Sequence, residues 1–168
     1  MTIREGRVED AAGLVAFMTE ASMEPGLGIG LEPGEFAYTV EEEENWVREH
    51  VEGENSLILV AVAGDGEIVG LMDCLGGRRW GNRHEATLGI MLKKEWRGKG
   101  LGSELMRRAV EWARESGVVK RLQLEVFTTN EQAIHVYEKL GFEREGVRRK
   151  AFLKGGVWLD SIVMAVLF

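Results

Sequence analysis

The most informative segment of the chain is Arg97-Gly98-Lys99-Gly100-Leu101-Gly102-Ser103, which follows an apolar run ending at Leu92 and opens an amphipathic segment. Glycines let backbone N–H groups approach a ligand closely, and the start of a helix adds unpaired donors and the positive end of its dipole. The segment therefore predicts a cradle for a pyrophosphate. Its spacing differs from the G-x-G-x-x-G and G-x-x-x-x-G-K-[ST] nucleotide loops. A tight turn between strand and helix is the alternative interpretation.

Charge is distributed unevenly along the chain. The net charge is −7, which argues against binding to nucleic acid, because phosphate backbones require a positive surface. Residues 93–108 are the exception, since they contain six basic and two acidic residues, a local charge of +4. A basic segment on an acidic protein suggests a small phosphorylated ligand, and the alternative is an ordinary solvated helix face.

Apolar periodicity predicts an α/β fold with one domain over residues 1–168. Helices are expected at residues 10–21, 39–51, 100–116 and 129–140, the last opened by a capping box from Thr129 to Gln132. Strands are expected at residues 2–5, 57–63, 67–75, 86–92, 121–127, 142–154 and 157–168. Strand, helix and strand between residues 86 and 127 imply a central parallel pair in a mostly antiparallel sheet of about seven strands.

Two blocks of sequence resemble one family. The segment from Arg97 to Gly102 is similar to the Q/R-x-x-G-x-G/A acyl-CoA motif of the GNAT superfamily of N-acetyltransferases. A second block resembles the pattern by which that superfamily continues, particularly in its ribosomal-protein alanine acetyltransferase branch, and consists of Leu124-Glu125-Val126, Asn130, Ala133, Tyr137 and Leu140-Gly141-Phe142. The order of elements over the whole chain also fits, so the resemblance implies a GNAT-like fold.

The resemblance implies acetyl-CoA as co-substrate and names the residues that would bind it. Backbone groups of Ile90, Met91 and Leu92 would lie along the pantetheine arm, and the loop from Gly98 to Ser103 would hold the pyrophosphate. Arg97, Lys99 and either Arg107 or Arg108 are candidates for adding charge near the phosphates. Ala133 and Asn130 are further candidates for binding the cofactor, although Asn130 is alternatively only a helix cap. No metal is expected, because the histidines and Cys74 lack metal-ligand spacing.

Catalytic roles also follow from the resemblance. Tyr137 matches the tyrosine that reprotonates the departing thiolate, with a core aromatic as the alternative. Glu125 matches the carboxylate that acts as general base, through water. Glu85, at the start of the strand before the glycine loop, is the rival base at the substrate side. A carboxylate in an alternating apolar strand requires solvent or a partner, which independently supports Glu125.

The acceptor is expected to be a primary amine, either a protein N-terminus or a small molecule. The acidic run from Glu41 to Glu44 is a candidate for attracting a cationic amine, although such runs are usually solvated. The segment from Glu24 to Gly34 contains both prolines and is expected to be a mobile loop that shapes the acceptor pocket. This long first third of the chain and the tip from Lys154 to Asp160 depart from the alanine acetyltransferase branch, which leaves the acceptor open.

The alternative function is a non-catalytic module that binds acyl-CoA and signals to a partner. A cytoplasmic location is expected, because one cysteine excludes an internal disulfide and no leader or membrane-spanning run is present. The apolar last strand is compatible with a homodimer. The sequence therefore predicts an acetyl-CoA-dependent N-acetyltransferase, with neither nucleic acid nor membrane as partner.

Overall fold

A computed structural model of the chain describes residues 1–24 and 30–168. The strands are β1 (Thr2–Glu5), β2 (Leu57–Val62), β3 (Ile68–Gly76), β4 (Glu85–Leu92), β5 (Arg121–Phe127), β6 (Glu143–Lys154) and β7 (Val157–Leu167). The α-helices are α1 (Ala11–Ser22), α2 (Val40–Glu52), α3 (Leu101–Glu115) and α4 (Glu131–Lys139). Residues 25–29 of the loop predicted from Glu24 to Gly34 lie outside the described residues.

The strands form one seven-stranded sheet in the order β1-β2-β3-β4-β5-β7-β6 within the described residues. The pair β4 and β5 is parallel, and the other neighbours are antiparallel. This confirms the predicted mixed sheet with a central parallel pair. Helix α3 makes the crossover between the two parallel strands, as a parallel connection requires.

The two parallel strands pair over only part of their length. Their register runs from Glu85 opposite Arg121 to Thr87 opposite Gln123 and stops there. Beyond this point β4 continues to Leu92 and β5 to Phe127 without pairing to each other. The two strands therefore enclose a wedge that opens toward their C-terminal ends, where ligands of parallel strands commonly bind.

Each face of the sheet buries its own apolar layer. Alternate residues of β2 to β5 pack with α3 and α4 on one face, around Leu105, Met106 and Leu122. Residues of β2, β3 and β4 that point the other way pack with α1 and α2 on the opposite face, around Phe17 and Val47. Because side chains alternate along a strand, each strand residue can be assigned to the α3/α4 face or to the α1/α2 face.

The predicted start of the last helix is wrong by one residue. Asn130, and not Thr129, is the N-cap of α4, and its side-chain oxygen accepts from the N–H of Ala133 at 3.2 Å. The N–H of Asn130 donates to the carbonyl of Phe127 at 2.9 Å, so a turn precedes the cap. Asn and Thr are both good N-caps, and the preceding turn decides between them.

Two titratable side chains of α2, Glu43 and His50, are buried against the rest of the protein. Burial raises the pKa of Glu43 to about 7. Burial lowers the pKa of His50, but Asp73 and the carbonyl of Trp46 outweigh this and raise it above its ordinary value. Both folded-state pKa values exceed those of the unfolded chain, so the stability they contribute is complete at low pH and declines as the pH rises, for Glu43 up to about 7.

We expect Glu43→Gln to raise the free energy of unfolding at about pH 8 by about 2–3 kcal/mol and to change it little at about pH 5. The reason is that ionised Glu43 is buried with neither a hydrogen bond nor an ion pair among the described residues, whereas glutamine stays neutral. Denaturant unfolding at both pH values measures the difference, with the exposed Glu41→Gln as control. An equal gain at both pH values would contradict the ionisation argument.

Candidate active site

A cavity of about 850 Å³ occupies the wedge between β4 and β5, a typical volume for a small-ligand site. One wall is the C-terminal half of β4, the opposite wall is the end of β5, and α3 and α4 close the sides. Predicted site residues in its lining are Ile90, Met91, Leu92, Arg97, Gly98, Gly100, Gly102, Ser103, Glu125, Asn130, Ala133 and Tyr137. The structure therefore brings both sequence blocks together around one cavity.

The glycine loop leads into α3 at one end of this cavity. Gly98 and Gly100 have φ values of 68° and 84°, which favour glycine strongly over other residues. Gly100 is the N-cap of α3, and no side chain caps the helix. The first backbone N–H groups of α3, beginning at Leu101, therefore remain available to an anionic ligand at the positive end of the helix dipole.

Arg97 lines the cavity, but its charge is already matched. Its Nη1 and Nη2 atoms each donate at 2.7 Å to the carboxylate of Glu24, and this pairing lowers the pKa of Glu24. Nε and Nη2 also donate to the carbonyl of Leu92, at 3.0 and 2.8 Å. Arg97 therefore joins the region after α1 to the last residue of β4, and it presents little free charge to a phosphate.

The other arginines of the basic segment are also paired. Arg107 forms ion pairs with Glu104 and Glu111, and Arg108 pairs with Glu104. Both arginines are partly exposed on α3, and neither lines the cavity. The interpretation as an ordinary solvated helix face therefore accounts for these two residues.

Tyr137 projects from α4 into the cavity wall. Its side chain is largely buried, and burial raises its pKa to about 12. Its ring lies 6.0 Å from that of Phe142, measured between centroids, and its hydroxyl makes no hydrogen bond within the described part of the chain. A buried phenol without a protein partner is a free donor at the cavity.

Glu125 lies on the opposite wall, on β5, with both carboxylate oxygens engaged. Oε2 forms an ion pair with Arg148 of β6, and Oε1 accepts from the hydroxyl of Ser161 on β7. Its partly exposed side chain faces the α1/α2 side of the sheet, since Leu124 and Val126 are buried on the other face. The sequence predicted that this carboxylate would need solvent or a partner, and Arg148 and Ser161 are its partners.

A family model described as the Acetyltransferase (GNAT) family matches residues 23–142. The chain belongs to the GNAT family. It is 38% identical over 101 residues to the L-amino acid N-acetyltransferase AaaT of Escherichia coli (strain K12), an alignment that covers 60% of this chain and 62% of the relative. The chain thus spans less than two thirds of that relative's length.

Solved structures agree with this assignment over nearly the whole chain. An acetyltransferase of the GNAT family from Streptococcus pneumoniae is 34% identical, with a TM-score of 0.92 and 99% of each chain covered. A ribosomal-protein-alanine N-acetyltransferase from Brucella melitensis is 27% identical, with a TM-score of 0.85 and 100% of each chain covered. The predicted superfamily and fold are therefore confirmed.

Besides Arg107 and Arg108, three residues predicted for the GNAT site lie outside the cavity lining. Glu85 is at the closed end of the wedge, where its carboxylate lies 4.0 Å from Nε of Arg121. Lys99 is exposed, with its Nζ 5.9 Å from the ring centroid of Trp96. The side chain of Leu101 is buried in the α3/α4 layer. Proximity to the cavity therefore favours Glu125 over Glu85 as the carboxylate of a GNAT reaction.

The sequence did not indicate the aromatic end of this GNAT cavity. Phe127 and Phe152 meet edge to face with ring centroids 5.2 Å apart, and both line the cavity. A side chain on Gly30 would come within 2.5 Å of the Phe152 ring. Phe152 is distant in sequence and belongs to β6, so only the register of β6 on β7 brings it here.

Two further observations concern metals and membranes. Within residues 1–24 and 30–168, no three His, Cys, Asp or Glu side chains are grouped so that they could share a metal ion. No helix in the same residues combines the length and apolar character needed to cross a membrane.

Proposed function

We propose that this GNAT family member transfers an acetyl group from acetyl-CoA to a primary amine, of a protein N-terminus or a small molecule. The observation that carries the proposal is the wedge itself. One cavity reaches from free amides at the start of α3 to a phenol on α4 and a carboxylate on β5. These are an anion cradle, an acid and a base, which acyl transfer to an amine requires.

The same geometry fits coenzyme A. The amides that follow Gly100 are available to bind an anion, in keeping with the pyrophosphate cradle inferred from the sequence. Beyond Thr87 the edge of β4 toward β5 has no strand partner, so backbone groups from Ile90 to Leu92 can bind an extended chain containing amides. The pantetheine arm of CoA has this chemistry.

Glu125 and Tyr137 complete the proposed reaction. Glu125, acting through water, takes the proton that the acceptor ammonium must lose before its nitrogen attacks the thioester carbon. The C–N bond forms, the C–S bond breaks, and Tyr137 donates its proton to the leaving sulfur. The attacking nitrogen loses its second proton, which restores Tyr137 through water, and Glu125 releases the first proton to solvent. The products are the N-acetylated amine and the free thiol.

The acceptor class is narrowed by the aromatic end of the cavity. Phe127 and Phe152 favour an acceptor that carries an apolar group near its amine. The Escherichia coli relative is named for L-amino acids and the Brucella melitensis protein for a ribosomal alanine. Amino acids with apolar side chains and peptides with an apolar N-terminal residue are therefore the first acceptors to test.

The decisive experiment follows thiol release from acetyl-CoA with a panel of amino acids, peptides and polyamines. We expect turnover with at least one primary amine. Calorimetry with CoA should be run in parallel on the same protein. Tight CoA binding without turnover on any amine would support the acyl-CoA sensor instead, and absence of CoA binding would contradict both functions.

We expect Glu125→Gln to lower kcat by about 10- to 100-fold at neutral pH, and by less at high pH, because the acceptor amine then loses its proton to solvent. Glutamine keeps the volume and accepts from Ser161, so acetyl-CoA affinity should be unchanged. Glu145→Gln, which alters an exposed β6 carboxylate paired with Arg121, is the matched control. A deficit equal at all pH values would argue against a base.

A further inference from the structure

Three residues form a row across the sheet beside the cavity. Asp73 on β3 pairs with Gly89 on β4, and Gly89 lies two residues beyond the last pairing of β4 with β5, which brings it level with Glu125. All three alternate with residues buried in the α3/α4 layer, so they share the α1/α2 face. Two carboxylates therefore flank a strand position that has no side chain.

The Asp73 carboxylate lies above the backbone of Gly89, on the side of β3 that faces β4 and the wedge. A Cβ atom built on Gly89 would come within 2.7 Å of Oδ1 of Asp73, so the carboxylate fills the space of the missing side chain. Gly89 lines the cavity, whereas Asp73 is not among the lining residues, and the Asp73 side chain is 23% exposed. Because Gly89 carries no side chain, a ligand bound against Gly89 lies beside the Asp73 carboxylate.

The buried imidazole of His50 lies next to the Asp73 carboxylate. Its Nδ1 lies 2.8 Å from the carbonyl of Trp46, and because a carbonyl only accepts, Nδ1 carries the hydrogen. Nε2 is fully buried, has no hydrogen-bond partner within residues 1–24 and 30–168, and is aimed at Oδ2 of Asp73, 3.5 Å away. A bare nitrogen facing a carboxylate is unfavourable, so this pair holds a proton, as the raised pKa of His50 indicates.

Glu43 lies two helical turns before His50 on the same face of α2. Its carboxyl group is buried, has no partner among the described residues and interacts with both Asp73 and His50. Glu49 also acts on His50 and is itself paired with Arg78 at 2.7 Å. Glu43, His50 and Asp73, here called the α2 cluster, therefore become more negative when Glu43 ionises.

We propose that Asp73 binds the protonated amine of the acceptor from the side opposite Glu125, and that Glu43 and His50 set the charge it presents. This inference rests on the proposed acetyl transfer. An ammonium group donates three hydrogen bonds and accepts none, which matches two carboxylates facing each other across a bare strand position. Glu125 then removes the proton, while Asp73 acts on binding, so Asp73 determines specificity for cationic acceptors.

The test is steady-state kinetics of Asp73→Asn with the primary alkylamine or amino acid on which the wild-type protein is most active. At neutral pH we expect the acceptor KM to rise about 10-fold or more, with kcat and the acetyl-CoA KM within about threefold of wild type. Asp65→Asn, in the exposed turn between β2 and β3, is the matched control and should leave all three values unchanged.

A second variant tests the charge of the α2 cluster. Between about pH 6 and about pH 8 the acceptor stays protonated, so its wild-type KM should fall as Glu43 ionises, and this fall should be smaller in Glu43→Gln, in which His50 alone still titrates. An unchanged KM in Asp73→Asn, a joint loss of kcat and acetyl-CoA affinity, or a pH dependence in Glu43→Gln as large as in wild type would overturn the inference alone. Absence of wild-type turnover would overturn the proposed function and this inference with it.

Discussion

Replacement of Tyr137 by phenylalanine is expected to lower kcat by about 100-fold, with the affinity for acetyl-CoA within about threefold of wild type. The variant removes one hydroxyl group from the cavity wall and leaves the ring in contact with Phe142. Because that hydroxyl makes no hydrogen bond in the described part of the chain, no structural bond is lost. The loss should therefore appear in the chemical step, when the leaving thiolate needs a proton.

The pKa of Tyr137 limits the size of this effect. Transfer from a phenol of pKa about 12 to a thiolate of pKa about 8.5 is uphill by about 5 kcal/mol, against about 2 kcal/mol for an ordinary phenol. Burial also raises the pKa of a thiolate leaving in the same apolar surroundings, which reduces the difference. We therefore expect an effect at the lower end of the range for general acids.

Thiol release across pH distinguishes the acid from a structural aromatic. The high pKa keeps Tyr137 protonated throughout the neutral range, so the deficit should be the same from about pH 6 to about pH 9. Tyr38→Phe is the matched control, since Tyr38 is 51% exposed and lies outside the cavity lining. Wild-type kcat in Tyr137→Phe, or a parallel loss of acetyl-CoA affinity, would contradict the acid role.

The sequence predicted the order of elements well because most of them have strong local signals. The glycine-rich start of α3 and the change of period after it locate the crossover, and the crossover fixes β4 and β5 as parallel. The shortness of their pairing left no such signal. The length of the pairing between β4 and β5 depends on how β4 pairs with β3 and how β5 pairs with β7, which is a property of the whole sheet.

The site was predictable where one motif carried it and not where distant segments meet. Tyr137 and Glu125 came from a block within about 20 residues of chain, which is short enough to be matched as a pattern. Arg97 was also identified, but its partner Glu24 was not, because the two residues are 73 positions apart in the sequence and only the folded chain brings them together. The sequence did not indicate Asp73. Its importance depends on Gly89, sixteen residues later, and the sequence alone does not show that these two residues are opposite each other on β3 and β4.

The second large effect is expected at Gly100, where valine should weaken CoA binding by about 100-fold. The φ value of 84° is strained for any L side chain and most of all for a β-branched one. A Cβ atom at Gly100 meets no other atom within 4 Å, so the cost is in the backbone and not in a clash. Relief of that strain turns the first amides of α3 away from a bound pyrophosphate.

Gly117 provides a control on the same helix. It follows the C-terminal end of α3 with a φ value of 69°, and a Cβ atom there also meets nothing within 4 Å. Valine at either position should cost about 1–3 kcal/mol of stability, but only Gly100→Val should lose CoA binding by calorimetry. Equal affinities of the two variants would contradict the cradle. A loss confined to Gly100→Val would mean that the orientation of the first amides, and not the stability of α3, holds the diphosphate.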